Sequence, residues 1–202
     1  MKPIQIVALI VIAIFYIAYF LKMFFQHRKG LKTNQIAKGN KPKKVLTIEI
    51  LMKIATYIIV AVEISTILFD LSIWKSSINW LGNIIASIGV IIFIISMITM
   101  KDSWRAGIPD KDETKLITTG IYRISRNPAF LGFDLMYIGI LISFFNFFHL
   151  AFVFFAVIML HLQILQEEKF LIYKFKESYV EYKKKTGRYF IFWNNIKKVL
   201  LS

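Results

Sequence analysis

Five long apolar runs, separated by loops of which two are strongly basic, leave this chain few ways to fold. They cover Ile4 to Phe25, roughly Val45 to Leu71, roughly Ile78 to Met100, roughly Ala129 to Phe145, and Phe147 to Leu165. A helix needs about 20 apolar residues to cross the hydrocarbon of a bilayer, and each run approaches or exceeds that length. With 57% hydrophobic residues and nineteen Phe, the 202-residue chain is too apolar for a soluble domain. The expected fold is all-α and polytopic, with about five transmembrane helices. The last two form a C-terminal hairpin turned at Asn146 to His149 and followed by a polar tail. The first run has the look of a signal peptide, but basic loop rather than a small-residue cleavage site follows it, so it reads as a span. The short fourth run is expected to tilt or to sit partly behind its neighbours.

Loop charges set an orientation. Arg28, Lys29, Lys32, Lys38, Lys41, Lys43 and Lys44 lie between the first two spans. Lys101, Arg105, Lys111, Lys115, Arg123 and Arg126 lie between the third and fourth, and nine more basic residues follow the fifth. The opposite loops hold mainly Asp70 and Lys75. The positive-inside bias then puts the N-terminus outside and the C-terminus, with the basic loops, in the cytoplasm of a cell-membrane protein. The net charge of +14 is read the same way, as loops facing anionic lipid rather than nucleic acid. Absence of cysteine excludes disulfides and thiolate chemistry, and three scattered histidines (His27, His149, His161) argue against a metal centre.

Two polar clusters flank the hairpin and are expected to meet on one side of the bilayer. The first, Gly120 to Phe130, ends in Asn127-Pro128, a cap residue followed by the proline tolerated at a first helical position. A helix starting there offers free N–H groups and a positive dipole end to a carboxylate or phosphate, with Arg123 and Arg126 alongside and Tyr122 and Phe130 as aromatic faces. Gly132, Met136 and Gly139 share a face of that helix and permit another helix to approach closely. The bland reading is an interfacial anchor, with Arg and Tyr at the headgroups. The second cluster is His161, Gln163, Gln166, Glu167 and Glu168. Gln163 and Glu167 share one helical face, His161 and Glu168 another. Arg123, Arg126 or Arg188 could neutralise the two acids, although a solvated helix end with Lys partners would also account for them. Glu63, in mid-span, either pairs with a basic group, borders a substrate path, or is structural.

These residues resemble a known family. Gly120, Tyr122, Arg126-Asn127-Pro128 and Phe130, then the hairpin, then Glu167-Glu168, Leu171, Phe175, Tyr179, Tyr182 and Arg188 look like the signature of the superfamily of isoprenylcysteine carboxyl methyltransferases and phospholipid N-methyltransferases. The likeness covers roughly Trp104 to Phe190. It implies a membrane-embedded transferase using S-adenosyl-L-methionine, held in a cytosol-facing pocket that the C-terminal segment closes, and a lipophilic small-molecule acceptor drawn from membrane lipids. Carried over by position, Thr114, Lys115, Leu116, Ile117 and Tyr122 would line the adenosine, and Asn127, Pro128, Ala129 and Phe130 would contact the cofactor at the helix start. Arg126 would face its carboxylate. Glu167 and the adjacent Glu168 would take its ammonium or ribose hydroxyls. Arg126, Gln163 and Glu167 are the candidate catalytic residues. On this reading residues 1–100 supply three N-terminal spans and a basic loop, and residues 101–202 the cofactor-binding core.

Two departures bear on chemistry. Asn127 stands where the family usually has His, and Phe130 where it has Tyr, which removes a titratable base. Gln163 stands where the prenylcysteine enzymes carry an Arg placed for the acceptor's carboxylate, which turns the expectation toward an amine or another lipid headgroup. The competing functions are a phospholipid (ethanolamine headgroup) N-methyltransferase, an intramembrane NADPH-dependent enzyme of the sterol-reductase type, and a non-enzymatic scaffold. The chain has no G-x-G-x-x-G loop for a soluble dinucleotide-type methyltransferase.

Overall fold

The computed structural model describes residues 1–74, 77–109 and 114–190. Lys75, Lys111 and the tail after Phe190, with Trp193, Lys197 and Lys198, lie outside the described residues.

The apolar runs all form helices: α1 (Pro3–Arg28), α2 (Lys43–Leu68), α3 (Ile78–Met100), α4 (Pro128–Ser143) and α5 (Phe147–Lys185). Among the described residues there is no strand; one isolated bridge joins Asn34 to Ala106. Four helices are long and apolar enough to cross a membrane. The fourth run yields 16 residues, which reach only about 24 Å at 1.5 Å per residue. The fifth helix outruns the apolar sequence by twenty residues, and its backbone breaks at Lys176, where φ is 47°. Its membrane-crossing part is the apolar portion, Phe147 to Leu165; Gln166 onward projects past it.

Small residues bring α3 and α4 together. A Cβ added at Gly132 would lie 2.7 Å from the Gly89 carbonyl oxygen, and one at Gly89 would lie 2.7 Å from the Gly132 oxygen. Two turns further on, Gly139 backs onto Ala86 and Gly82. At the far end Asn79 donates to the Ser143 carbonyl at 2.6 Å, and the Ser143 hydroxyl donates to the Asn79 carbonyl at 2.7 Å. The close-approach face expected of Gly132, Met136 and Gly139 is therefore the α3 contact. The turn is as short as expected: Asn146 caps α5 by accepting from the His149 N–H at 2.8 Å. The pairing differs from a self-contained hairpin, however. α4 packs chiefly on α3, and α5 chiefly on α2, because the glycine seam commits the face of α4 to α3.

This seam sets a depth. Gly132 meets Gly89 and Phe93, so Pro128 falls opposite residues about one turn before the end of α3. The start of α4 is thus recessed beneath the loop that follows α3, and that recess is the floor of the site.

Candidate functional site

A cavity of about 240 Å³ lies between the recessed start of α4, the first turns of α5 beyond its apolar portion, and the loops after α1 and α3. Thr114, Lys115, Leu116, Ile117, Tyr122, Arg126, Asn127, Ala129, Phe130 and Glu167 all line it. Pro128, Gln163 and Glu168 do not. Helix geometry accounts for the split at 167 and 168: adjacent residues point about 100° apart, so one acid faces the cavity and its neighbour faces the loops.

Glu168 is the hub of a buried knot. The Arg126 guanidinium donates to its Oε1 at 2.7 Å, the Arg188 guanidinium to its Oε2 at 3.0 Å, and the Asn127 amide to Oε1 at 3.3 Å. Burial alone would push the Glu168 carboxyl up; the hydrogen bonds from Arg188 and Arg126 outweigh it and hold the carboxyl below its ordinary range. Arg126 also donates to the Thr186 and Lys183 carbonyls, and its backbone N–H to the Gly187 carbonyl. Tyr182 donates its hydroxyl to the Tyr122 carbonyl at 2.5 Å. The end of α5 and the strip 186–188 are thereby fastened to the 120–127 loop.

The two clusters thus come together at one end of the bundle, and of the arginines offered as partners for the two acids, Arg126 and Arg188 both close on Glu168. Arg126, expected by resemblance to face the cofactor's carboxylate, has its guanidinium on Glu168. Asn127 starts α4 as anticipated, yet its side chain makes no cap bond to the helix; it donates to Glu168 and to the Arg188 carbonyl instead. Gln163, expected on a face with Glu167, donates to its Oε1 at 3.0 Å from behind the cavity wall. His161, expected to share a face with Glu168, pairs with the Tyr189 hydroxyl at 2.8 Å. Arg123 is exposed and its backbone carbonyl accepts from Thr186.

Glu167 itself lines the cavity. Burial pushes its carboxyl up to about 7. Tyr122 is nearly fully buried, and burial raises its phenol well above its ordinary value, so it is a neutral hydroxyl at physiological pH. The first turn of α4, at Ala129 and Phe130, adds the unbonded N–H groups and positive end of a helix.

Sequence reasoning missed the other half of the wall. Tyr16, Tyr19 and Phe20 of α1, Met52, Lys53, Thr56 and Tyr57 of α2, and Phe93 of α3 line the same cavity. So do Ile36, Gly107 and Ile108, held by a buried acid. Glu49 accepts from Lys41 Nζ at 2.7 Å, from the Ala37 N–H at 2.7 Å and from the Ile108 N–H at 3.0 Å, and so ties both basic loops to α2. The available signal was an acid and a lysine, Glu49 and Lys53, in an otherwise apolar run.

The class is now defined: an all-helical membrane protein whose bundle encloses a cavity that is polar toward the loops and aromatic toward the lipid. Residues 80–173 match the isoprenylcysteine carboxyl methyltransferase (ICMT) family. The chain is also 32% identical over 125 residues to the protein-S-isoprenylcysteine O-methyltransferase of Saccharomyces cerevisiae, an alignment covering 59% of this chain and 52% of that protein. The chain therefore spans about half the length of the curated relative it matches. It is ICMT-like over the stretch that builds α3, α4 and the apolar part of α5, in agreement with the resemblance carried by its motifs.

Proposed function

We propose that this protein is an integral membrane methyltransferase that uses S-adenosyl-L-methionine and acts on a lipophilic acceptor, with its basic loops and cofactor site on the cytoplasmic face. One observation carries the reading. Glu167, Tyr122 and the first turn of α4 share a single cavity with an aromatic arm that reaches the lipid-facing helices α1 and α2.

The residues present fit the cofactor. Its sulfonium supplies an electrophilic methyl group. Glu167 offers an acceptor for an ammonium or ribose hydroxyls, and the start of α4 suits a carboxylate. Tyr122, Phe130 and Tyr179 provide aromatic faces for a cation or an adenine. Arg126, engaged with Glu168, contributes by fixing the 120–127 loop against α5. Gln163 contributes by orienting the Glu167 carboxylate.

Methyl transfer is a displacement that requires alignment of acceptor and donor and exclusion of water, with no covalent enzyme intermediate. The two arms of this cavity suit that task, one for a nucleoside-derived group and one for an apolar tail. The test is a titration of the purified protein with S-adenosylhomocysteine and with NADPH, followed by radiolabelled methyl transfer to a total lipid extract. Saturable binding of S-adenosylhomocysteine and a labelled lipid product are expected; binding of NADPH alone overturns the reading.

A further inference from the structure

Two loop segments roof the cavity, and they touch through an isolated bridge. The Gln35 N–H donates to the Ala106 carbonyl at 2.8 Å, and the Ala106 N–H to the Thr33 carbonyl at 3.0 Å. Gly107, with φ at 84°, backs onto Ile36 so closely that a Cβ there would lie 2.8 Å from the Ile36 nitrogen. Ile36, Gly107 and Ile108 line the cavity. A pairing this short is marginal in water, and two buried side chains seat it on the bundle. From α1, Gln26 accepts from the Thr33 hydroxyl at 2.8 Å and donates to the Trp104 carbonyl at 3.2 Å. From α2, Glu49 does the same with a charge.

Glu49 is the seventh residue of α2 and wholly buried. Its carboxylate accepts from the Ala37 N–H of one loop, from the Ile108 N–H of the other, and from Lys41 Nζ at 2.9 and 2.7 Å. The Lys41 ammonium is almost as buried and also donates to the Gln35 carbonyl at 2.6 Å. Neither side chain lines the cavity. A buried ion pair is weak ground for stability, since apolar residues of the same volume often do as well or better. What this pair supplies is placement: one carboxylate fixes two loops to one helix.

The same pair stands behind Glu167. Burial is the main influence on the Glu167 carboxyl and raises it; the Gln163 amide lowers it; Glu49 then raises it and Lys41 lowers it. Tyr122, from the turn before α4, and Tyr179 of α5 lie within range as neutral phenols. Arg126 and Arg188 are engaged with Glu168. Lys53, Arg105 and Lys115, also on the wall, stay the same in the variants below.

We propose that Lys41 and Glu49 are positioning residues of the cofactor site, holding its roof to α2 and presenting Glu167 with two opposed charges. The proposal rests on the methyltransferase reading for the identity of the ligand. It places part of the cofactor site outside residues 80–173, the stretch that matches the family.

The full chain in detergent is titrated with S-adenosylhomocysteine by calorimetry between about pH 5 and pH 9. Roof segments 33–41 and 104–109 are followed by hydrogen exchange. In wild type the affinity should rise through a midpoint set by the Glu167 carboxyl, at about 7. Glu49→Gln leaves Lys41 unopposed and should move that midpoint down by roughly half a pH unit or more; Lys41→Met leaves Glu49 unopposed and should move it up by a similar amount. The double variant, Lys41→Met with Glu49→Gln, removes both charges and should bring the midpoint back near its wild-type value. All three should exchange both roof segments about tenfold faster or more. Loosened packing alone would weaken binding at every pH and leave the midpoint where it was. Midpoints that stay put in both single variants, or move the same way, overturn the positioning role; wild-type exchange in Glu49→Gln overturns the clamp. If Glu49→Gln does not fold, an upward shift in Lys41→Met that the double variant reverses supports the proposal, and its absence overturns it. Wild type that binds no S-adenosylhomocysteine at any pH overturns the methyltransferase reading, and the roof clamp then stands or falls on the exchange of the variants.

Discussion

The Arg126 guanidinium lies 2.7 Å from Glu168 Oε1, across 42 positions of sequence, with both side chains almost wholly buried. Arg188 closes on the other oxygen at 3.0 Å. The pair joins the loop before α4 to the far end of α5, and it fixes where Glu167 points, because Glu167 is the next residue on the same helix.

Removing one partner of a buried pair leaves an uncompensated charge, at a cost of roughly 3–5 kcal/mol. Arg126→Met is therefore expected to lower the thermal midpoint strongly, and Arg188→Met less, since Arg188 is a third exposed. The carboxyl of Glu168 is held below its ordinary range in the folded protein. The stability it contributes is full above that range and is lost as pH falls through it. Thermal unfolding followed from about pH 5 down to about pH 2.5 checks this: the wild-type midpoint should drop on acidification more steeply than that of Glu168→Gln.

Glu167 predicts a pH effect on binding. Its carboxyl is pushed up to about 7 by burial, so it is mostly protonated at pH 6 and mostly ionised at pH 8. If the carboxylate holds the ligand, the protein should bind S-adenosylhomocysteine more tightly as pH rises, up to about tenfold between those values. Glu167→Gln should weaken binding about tenfold or more at pH 8 and flatten the profile, with helicity unchanged. Calorimetry at the two pH values decides it; full affinity in the variant removes Glu167 from the cofactor site.

Much of this was legible in the sequence, for reasons that differ by residue. The spans were readable because apolar length is a local property. Asn127-Pro128 marked the start of α4 because cap and proline preferences act within one turn. What sequence could not supply was the choice between neighbours. Glu167 and Glu168 are chemically equal, and only the rotation of α5 against α2 decides which one meets Arg126. Likewise, Glu49 and Lys53 look like an i,i+4 pair on α2. The basic loop folds Lys41 back onto Glu49 and leaves Lys53 facing the cavity, a long-range competition that spacing alone does not reveal.

The glycine seam yields a packing prediction. A side chain at Gly132 would drive into the Gly89 carbonyl at 2.7 Å and the Phe93 Cβ at 2.8 Å, neither of which is a flexible tip. Overpacking of that kind costs about 1–3 kcal/mol or more. Gly132→Leu should lower the thermal midpoint and, by shifting α4, weaken S-adenosylhomocysteine binding as well. Phe148→Ala, on an exposed position of α5, serves as the control and should alter neither. A Gly132→Leu protein with wild-type melting and binding would show that α4 is not seated by this contact.

Glu63 poses the opposite case. It sits five residues before the end of α2, fully buried, and among the described residues neither carboxyl oxygen has a hydrogen-bond partner. The nearby phenols of Tyr16 and Tyr137 face each other at 3.4 Å instead. A buried polar group without a partner costs about 1–3 kcal/mol. A side chain of similar length and no polar atoms removes that cost, so Glu63→Met should raise the thermal midpoint, by about 2–4 °C for roughly 1 kcal/mol in a chain of this size. The companion measurement is methyl transfer at saturating cofactor. Raised stability with unchanged turnover makes Glu63 a tolerated structural defect. Raised stability with lost turnover means that the uncompensated acid is retained for the reaction. A lowered midpoint would show that Glu63 has a partner in the membrane, lipid or protein, that Met cannot replace.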